Sequence, residues 1–204
     1  EDGIARKHRF YHKVLDFSVS FPEGWRIDNR PERVLASSRD NDGVIQVTVT
    51  DLNRRITPER FMSERMNLEN MQRGESIRVD NFAGYTAIAD GRTPYGVRPV
   101  RYVVLFRDTR AWIVAGTAKD RRNPQQYDAA ILATARSFHP LSAAEQSLAE
   151  AQHLGIIRTP AGTRYADLAQ ESPLASFPEE QLRLLNNQYP SGEPEPGSLL
   201  KIVR

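Results

Sequence analysis

The chain has 204 residues, of which 39% are hydrophobic and 26% charged, a composition that can bury a core in one large or two small domains and excludes wholesale disorder. There is no cysteine, which excludes disulfide frameworks, thiolate zinc sites and cysteine nucleophiles. The formal net charge is +2, divided between +5 for residues 1–140 (23 Lys+Arg less 18 Asp+Glu) and −3 for residues 141–204 (5 less 8), so two units with different surfaces are expected and neither carries a nucleic-acid footprint.

The opening "EDGIARKHRFYHK" lacks an apolar signal-peptide core and an initiator Met, and reads as the start of a processed chain or excised fragment. No apolar run approaches the roughly 18 residues that a membrane-spanning helix needs. "VLDFSVSF" places Leu15, Phe17, Val19 and Phe21 on one face of a strand. Pro22 and Gly24 of "PEGW" then turn the chain. "RVLASSR" and "GVIQVTVTDL" read as two further strands, the second with Ile45, Val47 and Val49 on its apolar face.

Helical spacing follows in "TPERFMSERMNLENMQ". Thr57 is the expected N-cap, Pro58 sits at the first helical position, and Phe61, Met62, Met66 and Leu68 form the stripe, with Gly74 as the stop. "SIRVDNFAGYTAIAD" returns to strand. "RPVRYVVLFRDTRAWIVAGTA" reads as a hairpin with strands Val100 to Phe106 and Ala111 to Thr117 around a turn at Arg107 to Arg110. "NPQQYDAAILATARSF" reads as a helix capped by Asn123, with Tyr127, Ile131, Leu132, Ala135 and Phe138 on its buried side. This order predicts an α+β domain over residues 1–140 with a mainly antiparallel sheet and flanking helices. Residues 141–155 read as a linker or connecting helix. Residues 156–204 read as a small βααβ unit: strand "GIIRT", helices "TRYADLAQES" and "PEEQLRLLNNQ", strand "SLLKIV".

Catalytic constellations are sparse. His8 and His12 have the spacing of a zinc-binding HExxH helix, but Arg9 stands where that motif has its Glu base; they read as surface or partly packed histidines. His139 and His153 are isolated. Ser18, Ser20, Ser37, Ser38 and Ser137 lack a nucleophile elbow. The carboxylate pairs Asp40/Asp42 and Glu179/Glu180 suit a turn and a helix N-terminus. Arg outnumbers Lys 24 to 4, and the doublets Arg54–Arg55 and Arg121–Arg122 read as solvated turns. Trp25 and Trp112 read as core residues. The expectation is no catalytic residue and no metal ligand in this chain.

Two stretches carry a resemblance. "FSVSFPEGWRIDN" and the strand–helix–strand order after it resemble the PsbP-type α/β sandwich. The tail resembles a LysM domain, the βααβ module that binds N-acetylglucosamine polymers. The matching residues are Gly162-Thr163, Leu168-Ala169, Leu182 with Asn186, and Pro196-Gly197 with Leu200 and Ile202. The Asp of the LysM Gly-Asp-Thr motif is missing, and the loop "NNQYPSGEPEPG" is longer than usual and acidic. Thr163 is expected to cap the first helix and Asn186 to end the second. Taken together, a PsbP-like unit and a degenerate LysM-like tail resemble the C-terminal, non-catalytic half of bacterial envelope HExxH zinc metallopeptidases of the CAAX-prenyl-protease clan.

That resemblance implies a periplasmic or secreted location and zinc only in a catalytic domain that this chain does not contain. It implies a partner in the parent protease domain or an envelope protein, and no cofactor in this chain. The alternative it implies is a peptidoglycan-binding module, with Gly162, Thr163, Asn187, Tyr189 and Pro190 lining a groove between two loops.

Overall fold

The computed structural model describes residues 3–149, 153–174 and 177–203. The chain forms two compact units, residues 1–150 and 151–204. The first is α+β and its strands all pair antiparallel. Strands β1 (Gly3–Arg6), β2 (Arg9–His12) and β3 (Phe17–Ser20) make a small sheet. The other seven make a large one: β4 (Arg26–Arg30), β5 (Arg33–Ser37), β6 (Gly43–Asp51), β7 (Gln72–Val79), β8 (Phe82–Thr93), β9 (Gly96–Arg107) and β10 (Arg110–Ala118), in the order β4-β5-β6-β10-β9-β8-β7.

Alternation along these strands gives the large sheet two different faces. Val34, Ala36, Ile45, Val47, Val103, Leu105 and Val114 lie on one, under the small sheet and helix α2 (Asp128–Arg136). There Phe17, Trp112 and Phe138 are in mutual contact, with ring centroids 4.5, 5.4 and 4.9 Å apart. Gly116 lets α2 approach closely, because a Cβ there would stand 2.6 Å from Ile131. Arg101, buried on the same face, grips Asp128 at the start of α2 with two hydrogen bonds of 2.7 and 3.0 Å and also donates to Thr86. The opposite face is covered at one end only, by helix α1 (Pro58–Arg60) and the π-helical turn Phe61–Arg65. Their Phe61 and Met62 pack on Ala87, Val104 and Ala111.

The helix predicted to run from Thr57 to Gly74 is therefore short. Its start is as read: Thr57 Oγ1 accepts from the Arg60 N–H at 3.3 Å and Pro58 follows. Its end comes early, because Asn67 and Asn70 take positive φ of 52° and 50°. Gly74 lies inside β7, beside a β-bulge at which Arg73 has φ 50°. A Cβ at Gly74 would stand 2.2 Å from the Tyr85 hydroxyl across the hairpin, so packing, and not helix termination, requires glycine there. Asn123 does not cap α2. Residues 123–127 form turns and the helix begins at Asp128, with Tyr127 at its N-cap.

The first strands were not anticipated. His8 and His12 lie on a β-hairpin, His12 stacks on Phe17 with centroids 5.6 Å apart, and its Nδ1 accepts from the Leu15 N–H. The predicted connecting stretch contains helix α3 (Ala143–Leu148), capped by a reciprocal Ser142–Glu145 box; residues 150–152 of that stretch lie outside the described residues. His139 pairs with Ser18 in an isolated bridge and its Nε2 meets Glu145 at 3.1 Å. Burial opposes ionisation of Glu145, but hydrogen bonds from Ser142 and His139 outweigh it and hold the carboxyl below its usual range.

The second unit runs β11 (Leu154–Arg158), α4 (Tyr165–Glu171), α5 (Pro178–Leu185), β12 (Leu199–Val203), with β11 and β12 antiparallel. Its core is Tyr165, Leu182, Leu200 and Ile202, with Leu168 and Ala169 against it. No helix among the described residues is long and apolar enough to cross a membrane.

Removing the Asp128 carboxylate strands a buried guanidinium. Asp128→Ala is expected to destabilise the first unit by about 3 kcal/mol, the low end for a broken buried pair because the Asp128 side chain remains 20% exposed. Asp128→Asn, which keeps one acceptor, should cost less. Urea unfolding followed by circular dichroism measures both.

Candidate functional site

The residues read from sequence as a candidate groove fall in the two turns that flank the helices of the second unit. Gly162 and Thr163 lie between β11 and α4; Asn187, Tyr189 and Pro190 follow α5. Gly162 has φ 81° with open space where a Cβ would be. Asn187, Tyr189 and Pro190 are exposed, Tyr189 at 58%. Asn187 also has a structural task. With φ 57° it ends α5 in a Schellman turn, its N–H donating to Leu184 O and that of Gln188 to Arg183 O.

Asn186, at the C-cap of α5, ties the helix to the sheet. Its amide nitrogen donates to Leu182 O and Lys201 O, and its Oδ1 accepts from the Lys201 N–H, each at 2.8 Å. Thr163 does not cap α4. Its hydroxyl turns back to donate to Pro160 O, and Arg164 is the N-cap residue, without a side-chain cap bond. The capping acceptor comes from 28 residues further on, where Glu193 Oε2 takes the Tyr165 N–H at 3.0 Å.

Glu193 belongs to a polar cluster that sequence reading missed. The Arg183 guanidinium, buried beneath the loop, donates to Glu179 and Glu193 at 2.6 Å each and to Gly192 O, and lies 5.1 Å over the Tyr165 ring. The Tyr165 hydroxyl donates to Gln188, whose Nε2 donates to Glu193 O at 3.0 Å. The Tyr165 N–H and then Arg183 hold the Glu193 carboxyl below its usual range, and burial raises the Tyr165 phenol. The available signal was compositional: one Arg within a helix otherwise flanked by Glu179, Glu180, Glu193 and Glu195. Periodicity gives no register between that helix and the loop.

In the first unit, Ser38, Asp42 and Tyr127 form another polar cluster, whose hydrogen bonds hold the turn between β5 and β6 against Tyr127. Ser38 Oγ accepts from the Asp42 and Gly43 N–H groups and donates to Asp42, which also accepts from Tyr127 at 2.6 Å. Hydrogen bonds from Ser38 and Tyr127 hold Asp42 below its ordinary value. Among the described residues no group of three or more His, Cys, Asp or Glu is placed to hold a metal ion.

No known protein family and no curated protein matches the chain. Solved structures with which it shares similarity include a protein from Bacteroides thetaiotaomicron, at 9% identity and TM-score 0.49, covering 94% of this chain and 65% of that one. The chain thus spans about two thirds of that protein's length. Another is the cyanobacterial PsbP protein CyanoP of Synechocystis sp. PCC 6803, at 14% identity and TM-score 0.47, covering 68% of this chain and 95% of that one. A third is a protein of unknown function from Pseudomonas aeruginosa, at 12% identity and TM-score 0.38, covering 62% of this chain and 92% of that one.

Because its folded-state pKa is depressed, Glu193 contributes stability that is fully present above the ordinary Glu range and is lost as pH falls through the folded value. Glu193→Gln should lower the midpoint of thermal unfolding of the second unit at neutral pH. The gap from wild type should narrow as pH falls through the ordinary Glu range and close only below the depressed folded value, where the wild-type carboxyl is neutral in the folded state as well. Calorimetry from neutral to acid pH reads the gap.

Proposed function

We propose that this chain is the non-catalytic region of an envelope zinc metallopeptidase, a PsbP-like unit followed by a LysM-like tail, and that it binds or positions a partner beside the protease domain. It performs no hydrolysis itself and works in the periplasm or outside the cell. The observation that carries the reading is the use made of the motif residues in the tail. Leu182, Leu200 and Ile202 form its core, and Asn186 joins α5 to β12. The long acidic loop is tied to Arg183 and Tyr165 by Glu193. The motif residues thus build shape, and the loop that departs from the LysM pattern is committed to internal bonds. The partner is the parent protease domain or another envelope protein.

A second reading, peptidoglycan binding, is favoured by one observation. Tyr189 stands 58% exposed between Asn187 and Pro190, and an exposed aromatic ring is a surface on which a sugar can stack.

The purified chain is expected to leave casein intact with or without a chelator; chelator-sensitive cleavage overturns the proposal. Adding the chain in trans to the HExxH domain encoded upstream should lower that enzyme's KM for protein substrates, and a reading frame without such a domain sinks the parentage. In sedimentation with insoluble peptidoglycan, binding that Tyr189→Ala abolishes would move the conclusion to the second reading.

A further inference from the structure

We propose that the open end of the large sheet in the first unit is a binding site for an aliphatic carboxylate, a ligand with an unbranched apolar chain and one anionic end. The alternation that buries Val34, Ile45, Val103 and Val114 sends Leu35, Val44, Gln46, Tyr102 and Ala115 to the opposite face. The register places four of them in one row across the sheet, Leu35 against Gln46, Gln46 against Ala115, and Ala115 against Tyr102. Helix α1 and the π-helical turn cover this face at Phe61 and Met62, and the cluster they form extends to Tyr102 at one end of that row. A trough of about 370 Å³ remains, walled by Tyr102 and by the β8–β9 hairpin at Thr93 and Pro94, within the range of small-molecule sites.

Its chemistry selects the ligand. The floor is largely aliphatic, from Leu35, Val44, Val100 and Ala115, and the small Ala115 leaves a depression between Gln46 and Tyr102. Arg33 and Arg92 are among the residues that line the trough, and no carboxylate lines it. Neither guanidinium has an ion-pair or hydrogen-bond partner among the described residues. The Gln46 amide and the Tyr102 hydroxyl supply neutral polar contacts. An arginine fork pairs with a carboxylate in a charge-assisted, bidentate way, and the apolar floor takes the chain. A cationic amphiphile would meet like charges and no carboxylate in the lining; Asp90 acts on the Tyr102 hydroxyl from outside it.

The test uses decanoate as probe, with decylammonium as the same chain bearing the opposite charge, added to the full 15N-labelled chain and followed by amide chemical shifts. Decanoate at up to about 2 mM is expected to shift the Gln46, Tyr102 and Ala115 amides progressively, and decylammonium to bind at least about tenfold more weakly. The exposed double substitution Arg33→Gln/Arg92→Gln should weaken decanoate by a similar factor and leave the rest of the spectrum in place. Three results would each overturn the proposal: no shifts on this face, equal response to the two probes, or undiminished decanoate binding by the double variant. None of them bears on whether a protease domain accompanies the chain.

Discussion

Three rings in mutual contact hold the first unit together. Phe17 comes from the small sheet, Trp112 from the centre of the large one, and Phe138 from the end of α2. The three-stranded sheet and α2 are too small to be stable alone, and the large sheet has an apolar face that must be covered. Joining them buries the central part of one face of the seven-stranded sheet, and the neighbours follow from that geometry. Phe10 and Phe82 extend the cluster by further ring contacts. Arg101 and Asp128 fix where α2 begins, and Gly116 sets how near it lies. The cluster has one polar irregularity: the Trp112 indole N–H is buried without a hydrogen-bond partner among the described residues. A buried donor of that kind costs stability, which the surrounding aromatic packing offsets.

Most of the large sheet was legible because alternation is a local signal. Residues 44–50 and the hairpin through Trp112 announce both their strands and their buried faces. The hairpin turn proved tighter than read, with Asp108 at φ 54° between β9 and β10. Two kinds of element were not legible. The β1–β2 hairpin is Arg/Lys/His-rich and turns at Lys7 with φ 55°, so composition hides it; only its pairing with β3 makes it a sheet. The middle segment carries helical spacing at Phe61, Met62, Met66 and Leu68, and these side chains do share one apolar cluster. They reach it partly from a loop, because two asparagines in left-handed backbone leave the helix before the stripe is complete. Apolar spacing reports what must be buried, and less reliably the backbone that buries it.

The candidate groove residues were legible as turn positions, since Gly, Asn and Pro punctuate the chain there. What the turns do depended on distant partners. Thr163 looked like a helix cap by its place in sequence, yet the acceptor at the first N–H of α4 is Glu193. Its approach depends on Arg183, which lies on a different helix. No window of sequence contains all three residues, and a pattern read along the chain assigns the cap to the nearest hydroxyl.

The same cluster changes the meaning of the acidic tail. A unit of 54 residues can bury only a small apolar core, here four side chains and their half-buried neighbours. Its ends are held instead by polar ties: Asn186 to the backbone of Lys201, Thr159 to Ser198, and Arg183 between Glu179 and Glu193. Two of the carboxylates behind the negative charge of residues 141–204 are thereby spent on a buried cation. Arg183 and its two carboxylates together carry one net negative charge that the −3 already includes, so the pairing fixes where that charge sits without changing the total.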